Sequence, residues 1–174
     1  MRQIILVIIF NFFIISCNAS FTIVPGSEDA NSSSSIRSEQ SDRPRGLKIN
    51  DFEKQVHQLV NEHRAKIGLN TLKWHTQATI ESQDHSQDMA SFRVPFGHIG
   101  YELRIDRIKA KDSDQIIASG ENVAQNSTAQ RAFNAWLRSP GHRKNIEGNF
   151  THSGVGAVKS SNGSWYFTQI FLRK

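Results

Sequence analysis

Cysteine is almost absent from this 174-residue chain, and the single one is Cys17. No internal disulfide can form, so a folded domain here must rest on its apolar core. The length is sufficient for one domain with such a core. Long apolar runs are also scarce. The longest spans residues 4–15, interrupted only by Asn11, and is too short to cross a bilayer comfortably. Charge of one sign is not concentrated. There are 21 Lys and Arg against 16 Asp and Glu, a formal net charge of +5, with no basic cluster interleaved with aromatics. Nucleic-acid binding is therefore unsupported, while loose attraction to anionic envelope surfaces is compatible with the excess. The chain has no internal repeat, no His-Glu-x-x-His and no Gly-x-Ser-x-Gly, so no local motif vouches for a metalloprotease or a serine hydrolase.

What is present begins with a short positive start, Met1-Arg2, leading into the apolar run. Residues 1–17 read as a secretory signal. Two processing routes stay open. Ile14-Ile15-Ser16-Cys17 resembles the lipobox of bacterial lipoproteins, in which Cys17 becomes the lipidated first residue; ordinary cleavage after Ala19 is the alternative. On either route the protein is expected to be exported, as a secreted protein or a lipoprotein of the cell envelope. Membrane contact is expected only through the signal or the lipid anchor. Residues 18–47 are polar and serine-rich and cannot bury enough surface to offset their ordering entropy, so they read as a flexible tether. Residues 48–174 read as the folded domain. An exported domain without disulfides fits a bacterium better than an animal or plant secretory pathway.

Within that domain, Asn50 and Glu53 form a capping-box pair ahead of Phe52, Val56, Leu59, Val60 and Ile67 at helical spacing, with Gly68 as the stop. A second helix is expected over residues 77–91, with a weak apolar stripe, and a short third over residues 101–109. Residues 115–118 suit a strand or an extended loop. Ser127 or Thr128 can cap a helix carrying Ala132, Phe133, Trp136 and Leu137, which Ser139-Pro140 ends. Two strands follow, residues 154–159 and 164–172, joined through Asn162-Gly163, a hairpin signal. The second is apolar on both faces, which implies a sheet covered on both sides. The expected class is α+β, with a small, mainly antiparallel sheet between helical layers.

Three segments stand out chemically: Phe96-Gly97-His98, Gly120-Glu121-Asn122 and Ser139-Pro140-Gly141-His142. Each sets one metal-capable or proton-transferring side chain beside a glycine, which lets the backbone turn or approach closely. Two imidazoles and a carboxylate are the raw material of a zinc site or an acid/base pair. Glu121 equally suits bonding to His98 merely to hold two loops together. Asn122 and Asn145 suit loop bracing, and Trp74, Trp136, Trp165 and Phe171 suit the core. His57, His63, His75, His85 and His152 read as surface or helix-packing residues. Ser139, before a proline and without an oxyanion-hole motif, suits a turn better than a nucleophile.

Taken in order, these segments are similar to the CAP superfamily, also called SCP-like, which gathers the cysteine-rich secretory, antigen 5 and plant pathogenesis-related proteins. The matching stretches are residues 60–74, Phe96-Gly97-His98, Gly120-Glu121-Asn122-Val123-Ala124, Trp136, residues 139–146, Gly154-Val155-Gly156 and residues 165–171. Their ordered set, rather than any one motif, carries the resemblance, and the cysteine-poor version with Ser-Pro-Gly-His resembles the bacterial branch. The resemblance implies a three-layer α-β-α sandwich with a cleft lined, in the best-known members, by two histidines and two acidic residues. His98, His142 and Glu121 match three of the four, and Ser139 stands where the second acid is expected. Glu102, four residues after His98, is the substitute to look for. The implied cofactor is zinc or another divalent cation held by His98, Glu121 and His142.

Three function classes follow. The first is a non-enzymatic binding module whose cleft engages an envelope component, a lipid or a protein. The second is a metal-dependent hydrolase or protease using the same three residues to activate water. The third is a purely structural or interaction protein. The missing second acid and the lack of a nucleophile count against the second, and the glycine framing of three polar side chains counts against the third.

Overall fold

The computed structural model describes residues 47–174. The signal, the Cys17 lipidation site and the tether up to residue 46 lie outside the described residues. Helix α1 spans Asp51–Lys66 and starts as its sequence requires. The Asn50 side chain accepts from the Glu53 N–H, and the Glu53 carboxylate accepts from the Asn50 N–H, so two of the helix's orphan donors are satisfied. Strand β1 (Lys73–Trp74) follows, then α2 (Thr76–Ala90), α3 (Tyr101–Lys111), β2 (Ala118–Asn126), α4 (Ala129–Arg138), α5 (Pro140–Ile146), β3 (His152–Lys159) and β4 (Trp165–Arg173). The sheet order is β1-β3-β4-β2; β1 pairs parallel with β3, and the other two pairings are antiparallel.

Helices cover both faces of this sheet. On one side Val56 and Val60 of α1, Phe133 and Trp136 of α4 and Ile146 of α5 pack on Val155, Phe167 and Phe171. On the other, Ala78 of α2 and Ile105 and Ile108 of α3 pack on Ile170 and Leu172, while Met89 meets Val123 and Tyr166. Strand β4 is central, with both faces covered, which accounts for its unbroken apolar run. Fully burying a side chain such as Phe167 or Phe171 is worth about 1.5–3 kcal/mol. The architecture is the expected α+β three-layer sandwich.

Several elements differ from the sequence-based expectation. Residues 115–117 take the extended-loop form, one of the two expected, but β2 begins at Ala118 and runs on through the whole Gly-Glu-Asn-Val-Ala segment, which the sequence reading does not assign to a strand. Its polar residues have low strand propensity and are held there by pairing with β4 along its full length. Pro140 ends α4 but also opens α5, where proline suits the first helical turn because its missing N–H has no partner to lose. The weak stripe of α2 also has a physical origin. Its buried face is small and polar because it lies directly on glycines of β3. Ser82 donates to the Gly154 carbonyl (3.3 Å), and Ser86 to the Gly156 carbonyl (3.1 Å) and Thr168 Oγ1 (2.9 Å). A Cβ on Gly154 would run into the Ala78–Thr79 backbone, and one on Gly156 into Ser82.

Side chains also cover exposed strand edges. Asn50 Nδ2 donates to the Ala157 carbonyl (2.9 Å), and the Ala157 N–H donates to Glu53 (3.1 Å). On β2, Trp136 Nε1 donates to the Val123 carbonyl (2.9 Å) and Asn145 to that of Glu121 (3.1 Å). Such covers remove edge groups that would otherwise template further strand pairing.

Candidate functional site

Strand alternation splits the Gly-Glu-Asn motif between the two faces of β2. Glu121 points toward α3 and Asn122 toward α5. Gly120 carries no side chain because Asn145 and Phe150 fill that space. Asn122 is fully buried; its amide donates to the His142 carbonyl (3.0 Å) and its oxygen accepts from Asn145 (2.9 Å). Asn122 and Asn145 thus tie α5 to the edge of the sheet and fix where His142 sits. Trp136 is buried in the core on the same side.

The structure brings His98, Glu121 and His142 together. The His98 and His142 rings lie 6.3 Å apart and are tilted by 38°. His98 Nδ1 lies 2.9 Å from Glu121 Oε1. Facing a carboxylate, Nδ1 carries the proton, which in the neutral tautomer leaves the lone pair on Nε2. The His98 side chain is 49% exposed, and Glu121 only 2%. Burial, followed by repulsion from His98, lowers the pKa of His142 and favours its neutral form.

The dominant partner of Glu121 is a residue that the sequence reading did not identify. Arg104 of α3 donates from Nε to Oε2 (2.9 Å) and from one terminal nitrogen to both carboxylate oxygens (2.8 Å each). Both side chains are buried, at 5% and 2% exposed, and Arg104 also holds the Ile99 carbonyl (2.8 Å). Arg104 and His98 together occupy both oxygens of Glu121. The available signal was a lone arginine on the buried face of α3, one turn before Ile108. His85 is the other omission: its Nε2 donates to the Gly97 carbonyl (2.8 Å) and holds the loop carrying His98. Its pKa is lowered, mainly by burial.

The two remaining acidic or hydroxyl candidates do not join this network. Ser139 is the half-buried joint between α4 and α5, with extended backbone and no capping bond from its side chain. Glu102 is exposed in the first turn of α3, and it is Arg104, two residues on, that reaches Glu121. A cation ligated directly by Glu121 does not fit this arrangement, because both oxygens already accept hydrogen bonds. Among the described residues no group of three or more His, Cys, Asp or Glu is placed to hold a metal ion. What remains is a pair of imidazoles backed by a carboxylate. Two concavities, of about 460 and 590 Å³, lie elsewhere and include none of these residues.

Comparison with known proteins places the domain as a whole. A family model described as CAP, the cysteine-rich secretory protein family, matches residues 57–171. Among curated proteins, the uncharacterized protein YkwD of Bacillus subtilis is 36% identical over 130 residues, covering 72% of this chain and 49% of that protein. The uncharacterized membrane protein YlbC of the same organism is 34% identical over 126 residues, covering 70% and 34%. The chain therefore spans about half the length of one and a third of the other. Among solved structures, an extracellular SCP-domain protein from Bacillus anthracis is 33% identical, with a TM-score of 0.59 over 70% of this chain and 40% of that one. An outer surface protein from Borrelia burgdorferi, 20% identical with a TM-score of 0.62 over 74% and 96%, shares the fold. By its motif order, its fold and these matches, the chain belongs to the CAP, or cysteine-rich secretory protein, family.

Proposed function

We propose that this CAP domain is an exported, non-enzymatic binding module that uses the surface around His98 and His142 to engage an envelope or extracellular ligand. The observation that carries this reading is the engagement of Glu121. Its buried carboxylate is neutralised by Arg104 and bonded to His98, so it acts as a strut for the exposed imidazole rather than as a free base. Export is supported by the signal-like start of the sequence and by the relatives described as extracellular, outer-surface and membrane proteins.

A zinc-dependent hydrolase is the second reading, favoured only by the imidazole pair. Zinc or another divalent cation would be held by nitrogens of His98 and His142, with Glu121 behind His98 as an orienting partner. Two protein ligands leave such an ion weakly held compared with a three- or four-ligand site. Both readings are testable with the purified chain. Sedimentation with isolated envelope fragments should capture the wild type, and His98→Ala/His142→Ala should reduce capture at least fivefold. Equal capture would remove the cleft from the binding role. Stoichiometric zinc uptake at neutral pH that disappears in the same double variant would favour the metal reading.

A further inference from the structure

A second surface, separate from the histidine pair, is distinguished by charge. The basic excess is not evenly spread after all: from Asn122 to Lys174 the chain carries seven Lys or Arg and one acidic residue, Glu147, and four of the seven (Arg138, Arg143, Lys144 and Lys174) line the two concavities. The two concavities share Glu147 and Gly148 as lining residues, so they adjoin there as a two-part trough. Their volumes of about 460 and 590 Å³ make each much larger than the ~30 Å³ share of one water. Arg138, Arg143 and Lys144 line one end, and Lys73 and Lys174 the other.

The single carboxylate at the junction is already committed. Glu147 lies 2.9 Å from His63 Nε2 and 3.5 Å from Arg143. Lys174 is held by Asp112 and Asp114. By contrast, Arg138, Lys144 and Lys73 are exposed and have no carboxylate partner among the described residues. The larger depression also offers neutral polar groups of Asn70, Thr71 and Asn149, all exposed. Cations in both of two adjoining depressions, with neutral polar groups beside them, suit an anion that repeats along a chain better than one compact anion.

We propose that this trough binds a linear polyanion with repeating phosphate groups, such as the phosphate-linked polymers of a cell envelope. The inference does not depend on the histidine cleft. Nucleic acid shares the repeating phosphate but would normally add base stacking, and no exposed aromatic residue lines the trough. Binding releases counterions, so the affinity should fall steeply with salt.

The test uses the full chain and long-chain inorganic polyphosphate, with single-stranded DNA and orthophosphate as parallel probes. Affinity is measured at several salt concentrations. The proposal expects polyphosphate to bind more tightly than single-stranded DNA, and orthophosphate at matched phosphate concentration to compete poorly. Arg138→Gln/Arg143→Gln/Lys144→Gln should weaken polyphosphate binding at least tenfold and flatten the log–log salt slope by about 2, at ~0.7 per lost contact. Thr71→Glu, which removes no cation, should weaken it several-fold. Lys54→Gln/Lys109→Gln/Lys159→Gln removes the same charge from elsewhere and should change affinity less than twofold. An equal loss in the two triple variants would reduce the effect to net charge and overturn the assignment. Equal or tighter DNA binding, or full competition by orthophosphate, would overturn it as well.

Discussion

Replacing Arg104 with alanine is the perturbation that most directly probes how the site is held. The substitution leaves Glu121, 2% exposed, without its bidentate partner and leaves the Ile99 carbonyl without a donor. His98 alone cannot compensate, because it supplies one hydrogen bond to one oxygen. Breaking a buried pair by removing one member costs about 3–5 kcal/mol, because the remaining charge is uncompensated. At roughly 4 °C per kcal/mol for a domain of this size, the melting temperature should drop by about 12–20 °C. Urea unfolding with linear extrapolation measures the loss. Arg104→Met/Glu121→Met removes both charges and should recover most of it, since an apolar pair of similar volume replaces an ion pair at little cost. A loss below ~1 kcal/mol in Arg104→Ala, or a double variant as unstable as the single, would refute the claim that this pair holds the site.

Other outcomes follow from the same structure. Gly154→Ala and Gly156→Ala should each destabilise the domain by about 3 kcal/mol or more by calorimetry, because the new methyl meets the backbone of α2 rather than a movable side chain. Burial lowers the pKa of His57 to about 4, so as pH falls from the unfolded value near 6.5 the unfolded chain gains a proton that the folded chain does not. Stability should decline over that window, and His57→Gln should flatten the decline in urea titrations at several pH values. Asp112 shows the carboxylate case. Burial alone would raise its pKa, but Lys174, the Asp114 N–H and His75 together bring it well below the usual value. Its contribution is present above the unfolded carboxylate value and is lost as pH falls toward the folded one; Asp112→Asn should remove that acid-side slope.

What was legible in the sequence was mostly local. The capping box of α1 needs only Asn50 and Glu53, three residues apart, and the Thr128 cap of α4 only its own first turn. The helix bearing Phe133 and Trp136 and the doubly apolar β4 were legible because burial demands a period. Elements whose cause lies elsewhere in the chain were not. β1 is two residues long and exists through its parallel pairing with β3. β2 carries polar residues that only β4, α3 and the α4–α5 segment make tolerable in a strand. The site divides in the same way. His98, Glu121 and His142 stand beside glycines and were legible as candidates, but Arg104 has no motif. Its role depends on α3 lying across the face of β2 to which Glu121 points.

Exposed His98 and half-buried His142, backed by a committed carboxylate, form the proposed ligand-facing surface. Histidine side-chain NMR on the uniformly ¹⁵N-labelled chain, titrated with a solubilised envelope extract, tests it most directly. The His98 and His142 ring signals should shift or broaden as binding saturates, while those of His57 and His75, which are bonded elsewhere, stay put. Saturable binding that leaves His98 and His142 unperturbed would contradict it.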